Sequence, residues 1–259
     1  MKKQILLVAI AVLSVFAVKA GDKDLMFRGG GGGDSKLTIG VSVGAGIPMS
    51  DFGKKDTTGQ NDTTKRTGWA STGFHFNVTA GYLLGGPVGV MVMIGGNMNS
   101  FDVTSYETAT GFNNNVPSGE TKTLTSTNYY IGQYLVGPFL SLPASDKLKI
   151  DIRLLVGLVT GNTPTQTESE TAGSSNETIV TSGKDGSGFG YHFGAGIKYN
   201  FSDKMGLTVN AGYTGSSIAY TGYTDTESGV FSGTHTNTTL KQTMATSIVS
   251  VTVGLAFNL

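Results

Sequence analysis

Leu37-Thr38-Ile39-Gly40-Val41-Ser42-Val43-Gly44-Ala45-Gly46-Ile47 alternates without a break. Every odd position is apolar, and every even one is glycine, serine or threonine. Successive side chains of a strand point to opposite faces, so this segment is a strand with one apolar face and one small, polar face. The same pattern returns seven times. It runs at about 69–83, 88–101, 128–141, 148–160, 189–201, 205–219 and 245–259. In the segment 148–160, Ile150, Ile152, Leu154, Val156 and Leu158 stand against Lys149, Asp151 and Arg153. In 128–141 the phase is ambiguous, and Gln133 favours turning Ile131, Leu135 and Phe139 to the polar side.

The connections sort by length. Gly85-Gly86-Pro87, Leu142 to Lys147, and Ser202-Asp203-Lys204 are short, with the residues that tight turns use. Residues 48–68, 102–127, 161–188 and 220–243 are long and rich in Thr, Ser, Asn and Gly, and these read as loops. Short and long connections alternate, so all turns lie at one end of the sheet and all long loops at the other. Eight strands can close on themselves and leave no free edge. About ten residues at roughly 3.3 Å each, tilted about 40°, rise about 25 Å, the height of the apolar band of a membrane barrel. The fold expected is all-β, an eight-stranded antiparallel up-and-down transmembrane β-barrel. Tyr82, Tyr199, Phe201 and Phe257 fall at its turn end, and Tyr130, Phe189 and Tyr213 nearer its loop end, where aromatic girdles belong.

Composition narrows the alternatives. The chain has 39 glycines in 259 residues and 14% charged residues, against about 25% charged in an ordinary soluble domain. A soluble sandwich would also alternate, but it would carry more charge and need not sort its connections by length. Thr67 to Phe101 lacks Asp, Glu, Lys and Arg, which is long enough for a spanning helix. However, it alternates and is broken at Gly85-Gly86-Pro87. No cysteine is present, which excludes disulfides and thiolate metal sites. With 18 basic and 18 acidic residues the chain shows no nucleic-acid footprint.

Residues 1–20 read as a signal peptide: Lys2 and Lys3, then the apolar run Ile5–Val18, then Val18-Lys19-Ala20. Cleavage would remove three lysines and no acid, leaving a mildly acidic mature chain. Residues 21–35, with Gly29 to Gly33, read as a flexible leader, and 36–259 as the barrel domain. Neither Gly29–Gly33 nor Gly183-Lys184-Asp185 has the Lys-Ser or Lys-Thr of a phosphate loop.

The stretch 36–259 resembles the small eight-stranded outer-membrane barrels of the OmpA/OmpX type, within the outer-membrane β-barrel domain class. Thr252-Val253-Gly254-Leu255-Ala256-Phe257-Asn258-Leu259 is similar to that family's terminal assembly signal, carried here by Thr252, Gly254, Phe257 and Leu259, with Leu259 where an aromatic is commoner. The resemblance implies an outer-membrane location, turns in the periplasm and loops outside. It also implies that the partners are outer-membrane lipid and the export and barrel-assembly machinery.

An eight-stranded barrel is just wide enough for side chains to fill it. Lys149, Asp151, Arg153, Lys198, His75, His192 and Gln133 are placed inward by the alternation. Unpaired buried charge is expensive, so the expectation is a plug of ion pairs and hydrogen bonds, with a polar track for solutes as the rival. No histidine has ligand spacing, and no metal or cofactor is implied. His235 with Asp225 and Glu227 could be cast as a catalytic triad only with a serine placed by geometry. The function expected is non-catalytic: a structural or surface-interaction role through four long extracellular loops, binding an extracellular ligand there. The alternatives are a narrow channel for small or apolar solutes and a barrel enzyme acting on lipid or peptide. The Thr runs Asp56-Thr57-Thr58, Asp62-Thr63-Thr64 and Thr236 to Thr239 belong to those loops.

Overall fold

Alternation closes the sheet. The computed structural model describes residues 36–57, 67–114, 116–173, 175–229 and 233–259. The signal-peptide and leader segments, 1–20 and 21–35, and Asp62-Thr63-Thr64 lie outside the described residues. The strands are β1 (Leu37–Met49), β2 (Gly73–Gly85), β3 (Val88–Ser100), β4 (Glu120–Ser126), β5 (Asn128–Pro143), β6 (Leu148–Asn162), β7 (Gln166–Ala172), β8 (Ser175–Gly183), β9 (Asp185–Asn200), β10 (Met205–Ser228) and β11 (Gly233–Asn258). Among the described residues two helices interrupt them, α1 (Ser50–Gly53) and α2 (Val103–Thr110).

Eight strands form an antiparallel ring in the order β1-β2-β3-β5-β6-β9-β10-β11. The ring closes through β1 and β11, with Val41 opposite Leu255 and Met49 opposite Ser247. The odd residues of the opening stretch point outward: Val41 and Val43 are exposed, while Gly40 and Ser42 are buried. Around the ring the same face carries Leu154 at 57% exposure, Phe193 at 53% and Val209 at 51%. A continuous apolar surface of that extent belongs in lipid rather than water. In β5 the buried set is Ile131, Gln133, Leu135 and Phe139, while Tyr130 and Val136 face out. The polar side of that strand is therefore the inside, as Gln133 indicated.

The inner wall explains the glycine content. In a narrow barrel a long inward side chain needs room on the facing strand, and small residues supply it. A Cβ on Gly46 would run into Asn97 Oδ1, and one on Gly196 into Asn210 Oδ1. A Cβ on Gly40 would stand 2.6 Å from Thr79 Oγ1, and one on Gly194 2.7 Å from His192 Nε2. Each large polar side chain thus lies across a glycine. At Gly44 the obstacle is backbone: the Val251 carbonyl, and Thr252 Cα at 2.7 Å.

Three of the segments expected as loops contain strands. β4, β7 and β8 fall in 102–127 and 161–188, and β10 and β11 run on into 220–243. They add nothing to the ring. β4 leads into β5 through Thr127, β6 leads into β7, and β8 leads into β9 through Lys184. Their order, β4-β7-β8-β10-β11, repeats the order of the ring strands below them. Five neighbouring ring strands therefore continue past the loop end as an open outer sheet. At Gly222, with φ 79°, the register of β10 on β11 shifts, and β10 exchanges β9 for β8 as its neighbour. The other three ring strands stop, and segments 50–57, 67–72 and 101–112 turn in over the mouth. That also corrects the second strand: residues 69–72 belong to this cap, and β2 begins at Gly73.

Candidate functional site

Three regions can meet a ligand: the lumen, the mouth and the outer sheet. The lumen is filled from wall to wall. Gln133 is 0% exposed, His75 1%, His192 5%, Lys198 5% and Arg153 6%, and Lys149 and Asp151 are half-buried. His75 Nδ1 lies 2.8 Å from Asn97 Oδ1, and its Nε2 3.1 Å from Asn77 Nδ2. That arrangement suits a neutral ring donating through Nδ1 and accepting at Nε2. His192 Nδ1 lies 2.9 Å from the Thr214 hydroxyl, which is 3.4 Å from Gln133 Oε1. Lys198 Nζ donates to Asn258 Oδ1 at 3.3 Å.

Asp151 and Arg153 share the inward face but form no ion pair. The Arg153 guanidinium donates to Asn210 Oδ1 instead. Asp151 is in register with Gly196 and Arg153 with Gly194; Arg153 Cγ lies 3.1 Å from the Gly194 Cβ position, while Asn210 fills that of Gly196. The plug is built mainly of neutral hydrogen bonds, and the ion-pair part of the expectation is not realised in this pair. Apolar side chains are interleaved with it. Met91, Met93, Leu135, Phe139 and Leu155 are buried on β3, β5 and β6, with Phe139 in register with Arg153 and Leu155 with His192, and Ile218, Met244 and Ile248 are buried toward the loop end.

An aromatic cap seals the mouth. Phe52 of α1 is 0% exposed and meets Tyr129 edge-on, with centroids 5.1 Å apart. Trp69 packs edge-on against Tyr106 at 5.5 Å, and Phe101 against the same ring at 5.4 Å. Ala70 bridges Phe101, the Tyr129 hydroxyl donates to the Gly68 carbonyl at 2.5 Å, and Asn99 Nδ2 donates to the Gly46 and Ser71 carbonyls. Ser50 at φ 52° and Trp69 at φ 53° are left-handed without being glycine, a strain of order 1–3 kcal/mol each that dense packing must offset. Outside the rings, Lys55 pairs with Asp102, the residue that caps α2 by accepting from Ser105 N at 3.0 Å. The hydrogen bond from Lys55, then that from Ser105, pull the Asp102 carboxyl down to about 2.

The outer sheet has two chemically different faces. One row reads Thr125, Thr167, Val180, Thr226, Thr234 across β4, β7, β8, β10 and β11. A second reads Thr123, Ser169, Thr178, Ser228. Hydroxyl residues dominate that face, and Thr121, Thr123, Thr125 and Thr226 are exposed. The rows between them carry Lys122, Glu168, Glu170, Glu177, Asp225 and Glu227. On that charged face Leu124 is buried, and Lys122 reaches both Glu168 at 3.6 Å and the ring of Phe112 at 4.3 Å. His235 is in register with Asp225, and its side chain and those of Thr236 to Thr239 lie outside the description. Among the described residues no group of three or more His, Asp or Glu could hold a metal ion.

In the last strand Thr252 points into the lumen, Gly254 leaves room for Ser42, and Leu259 is exposed at the turn end. Sequence reasoning missed the cap and the outer sheet. The signal for the sheet was present as hydroxyl–charge alternation, as in Thr167-Glu168-Ser169-Glu170-Thr171. It carries no apolar period to find.

The chain matches the outer membrane protein beta-barrel domain family over residues 8–257. No curated protein matches it. Among solved structures it is similar to Ail, the attachment invasion locus protein of Yersinia pestis, at 10% identity, covering 87% of this chain and 99% of that one with a TM-score of 0.41. It is similar to Neisserial surface protein A at 13% identity, 88% and 100% coverage and a TM-score of 0.39. It is also similar to the outer membrane protease OmpT of Escherichia coli at 8% identity, 90% and 99% coverage and a TM-score of 0.47.

Proposed function

The chain belongs to the outer membrane protein beta-barrel domain family, and from that premise we propose that its working surface is the outer sheet rather than the lumen. It is an integral protein of the outer membrane, set in lipid by the apolar face of the ring. By the usual polarity of such barrels, the turns face the periplasm and the outer sheet faces the medium. The role is surface interaction, without catalysis: an extracellular ligand is held by β4, β7, β8 and the outer halves of β10 and β11. One observation carries this reading. The lumen is packed with side chains and the mouth is covered by Phe52, Trp69 and Phe101, so the outer sheet is the large surface left open to a partner. The export machinery reading residues 1–20, and the assembly machinery reading Thr252, Gly254, Phe257 and Leu259, complete the partners.

The channel and the enzyme are the competing readings, and both need an accessible interior or a histidine site. The test has two arms. The refolded barrel in a planar bilayer is expected to give no conductance steps, and steady steps would favour the channel. Cells displaying the chain are then compared with cells whose residues 166–183 are replaced by a short Gly-Ser turn, using adsorption to immobilised matrix proteins. Loss of adsorption with the heat-modifiable barrel intact is the expected result. Equal adsorption by both would overturn the surface reading.

A further inference from the structure

The edge of the outer sheet stores two spare residues. From Met205 opposite Phe257 to Thr221 opposite Lys241, β10 and β11 keep one register. Beyond it Tyr223 stands opposite Asn237, and the ladder runs on to Glu227 opposite Gly233. Gly222 alone therefore spans the same gap as Thr238, Thr239 and Leu240. Three residues against one leave two in excess on β11. The φ of 79° at Gly222 lies in the left-handed region that a side chain resists.

The two strands are held unequally there. β10 is paired on both sides, since Tyr223 to Ser228 also meet Gly183 to Thr178 of β8. Beyond Ser247, β11 has β10 as its one neighbouring strand among the described residues, because β1 ends at Met49. The outer part of β11 is thus free to slide while β10 stays. A slide of two residues toward the tip takes up the excess and continues the register of the ring. Gly222 then meets Leu240, Tyr223 meets Thr239, Asp225 meets Asn237, and Ser228 meets Thr234. A step of two returns every side chain to its own face. Little in the sequence chooses between the two registers. Thr224 and Thr226 stand opposite Thr236 and Thr234 in one, and opposite Thr238 and Thr236 in the other. His235 stands opposite Asp225 in one and Glu227 in the other. No residue from Thr221 to Ser228 is buried, so no apolar anchor fixes the pairing.

We propose that the outer half of β11 is a two-register strand that shifts by two residues along β10, with Gly222 as the point where the excess is gathered or released. The shift carries the edge of the outer sheet about 7 Å toward its tip, and the ring below Lys241 does not move. It occurs whether or not the outer sheet holds a ligand. A partner that grips one register more tightly than the other shifts the strand toward it.

The chain has no cysteine, so introduced thiols report alone. Directly opposite residues lie within disulfide reach, and diagonal ones fall beyond it. Three double variants of the full chain, refolded in detergent, are oxidised under native conditions: Thr226→Cys with Thr234→Cys, with Thr236→Cys, and with Thr238→Cys. The bridge is read by peptide mass. The first two pairs are expected to close at initial rates within about tenfold of each other, as two nearly balanced states require, and the third to stay open. Gly222→Val disfavours positive φ, and is expected to suppress the first bridge and spare the second. Closure of only one of the first two pairs, or of neither, would leave no second register. Equal closure of all three would mean that the strand frays. Each of these results overturns the proposal, and the series with Gly222 intact decides it even if Gly222→Val does not refold.

Discussion

Strand β9 from Gly190 to Lys198 and strand β8 from Ser175 to Gly183 are separated by a few residues, and both are paired on two sides. They are held for different reasons. In β9 every second residue is buried, and the others face lipid. In β8 every described residue is exposed or half-exposed. The ring is therefore specified by what each face touches, and its register cannot slip by one residue without putting Arg153 or His192 into lipid. The outer sheet is specified by its neighbours. Its strands continue a ladder that the ring has already set, and threonine suits an extended, half-exposed backbone. A fold can thus carry strands with almost no hydrophobic period, provided that a periodic region fixes where they begin.

The sharpest way to break this contrast is inside the ring. Gly44→Val places a side chain against the Val251 carbonyl and the Thr252 backbone, neither of which can move without opening the β1–β11 closure. The expected cost exceeds about 4 kcal/mol, in the range of severe core strain, and is read as loss of the heat-modifiable form in gels. Val156→Arg tests the lipid face at mid-strand. Its expected cost is about 2–4 kcal/mol in denaturant unfolding from bilayers, and a change under about 1 kcal/mol would mean that this face does not meet lipid.

The cap should respond more gently. Asp102 has its carboxyl at about 2 in the folded chain, against about 3.9 when unfolded. A depressed carboxyl stabilises above the unfolded value and loses that contribution as pH falls through the folded one. The latch with Lys55 is therefore intact above about pH 4 and lost toward pH 2. Both partners are partly exposed, so the effect is under about 1 kcal/mol. Trp69, the single tryptophan, is 2% exposed in the cap. Its fluorescence is expected to shift red over that pH window, and Asp102→Asn is expected to remove the pH dependence. The smallest effect belongs to the outer sheet. Thr123→Ala, on its exposed hydroxyl face, is expected to change stability by less than about 0.5 kcal/mol. A larger loss would mean that the sheet has a core of its own.

The ring was legible in the sequence because lipid and lumen impose opposite demands on alternate residues, and the Leu37–Ile47 stretch meets both. Gln133 resolved the phase of β5, since an amide in lipid would be unsatisfied. The inward set, from His75 to Lys198, followed from parity alone. Its pairing did not, because whether Arg153 meets Asp151 or Asn210 depends on which glycine lies opposite, a property of register between distant strands. The cap was hidden for another reason. Phe52, Trp69, Phe101 and Tyr106 are scattered through segments without period, and they assemble only once three strands have ended at the mouth.

The glycine seats of the inner wall carry a historical consequence. A large side chain there and the vacancy facing it are two halves of one solution. Asn97 cannot grow unless Gly46 gives way, and Gly46 cannot acquire a side chain while Asn97 fills its space. Drift along the lumen must therefore proceed by paired replacement, His192 with Gly212 and Asn210 with Gly196, while the lipid-facing residues are free to exchange one apolar side chain for another. In a collection of related chains, the inner wall should show as correlated columns joining strands far apart in sequence, and the outer wall as independent ones.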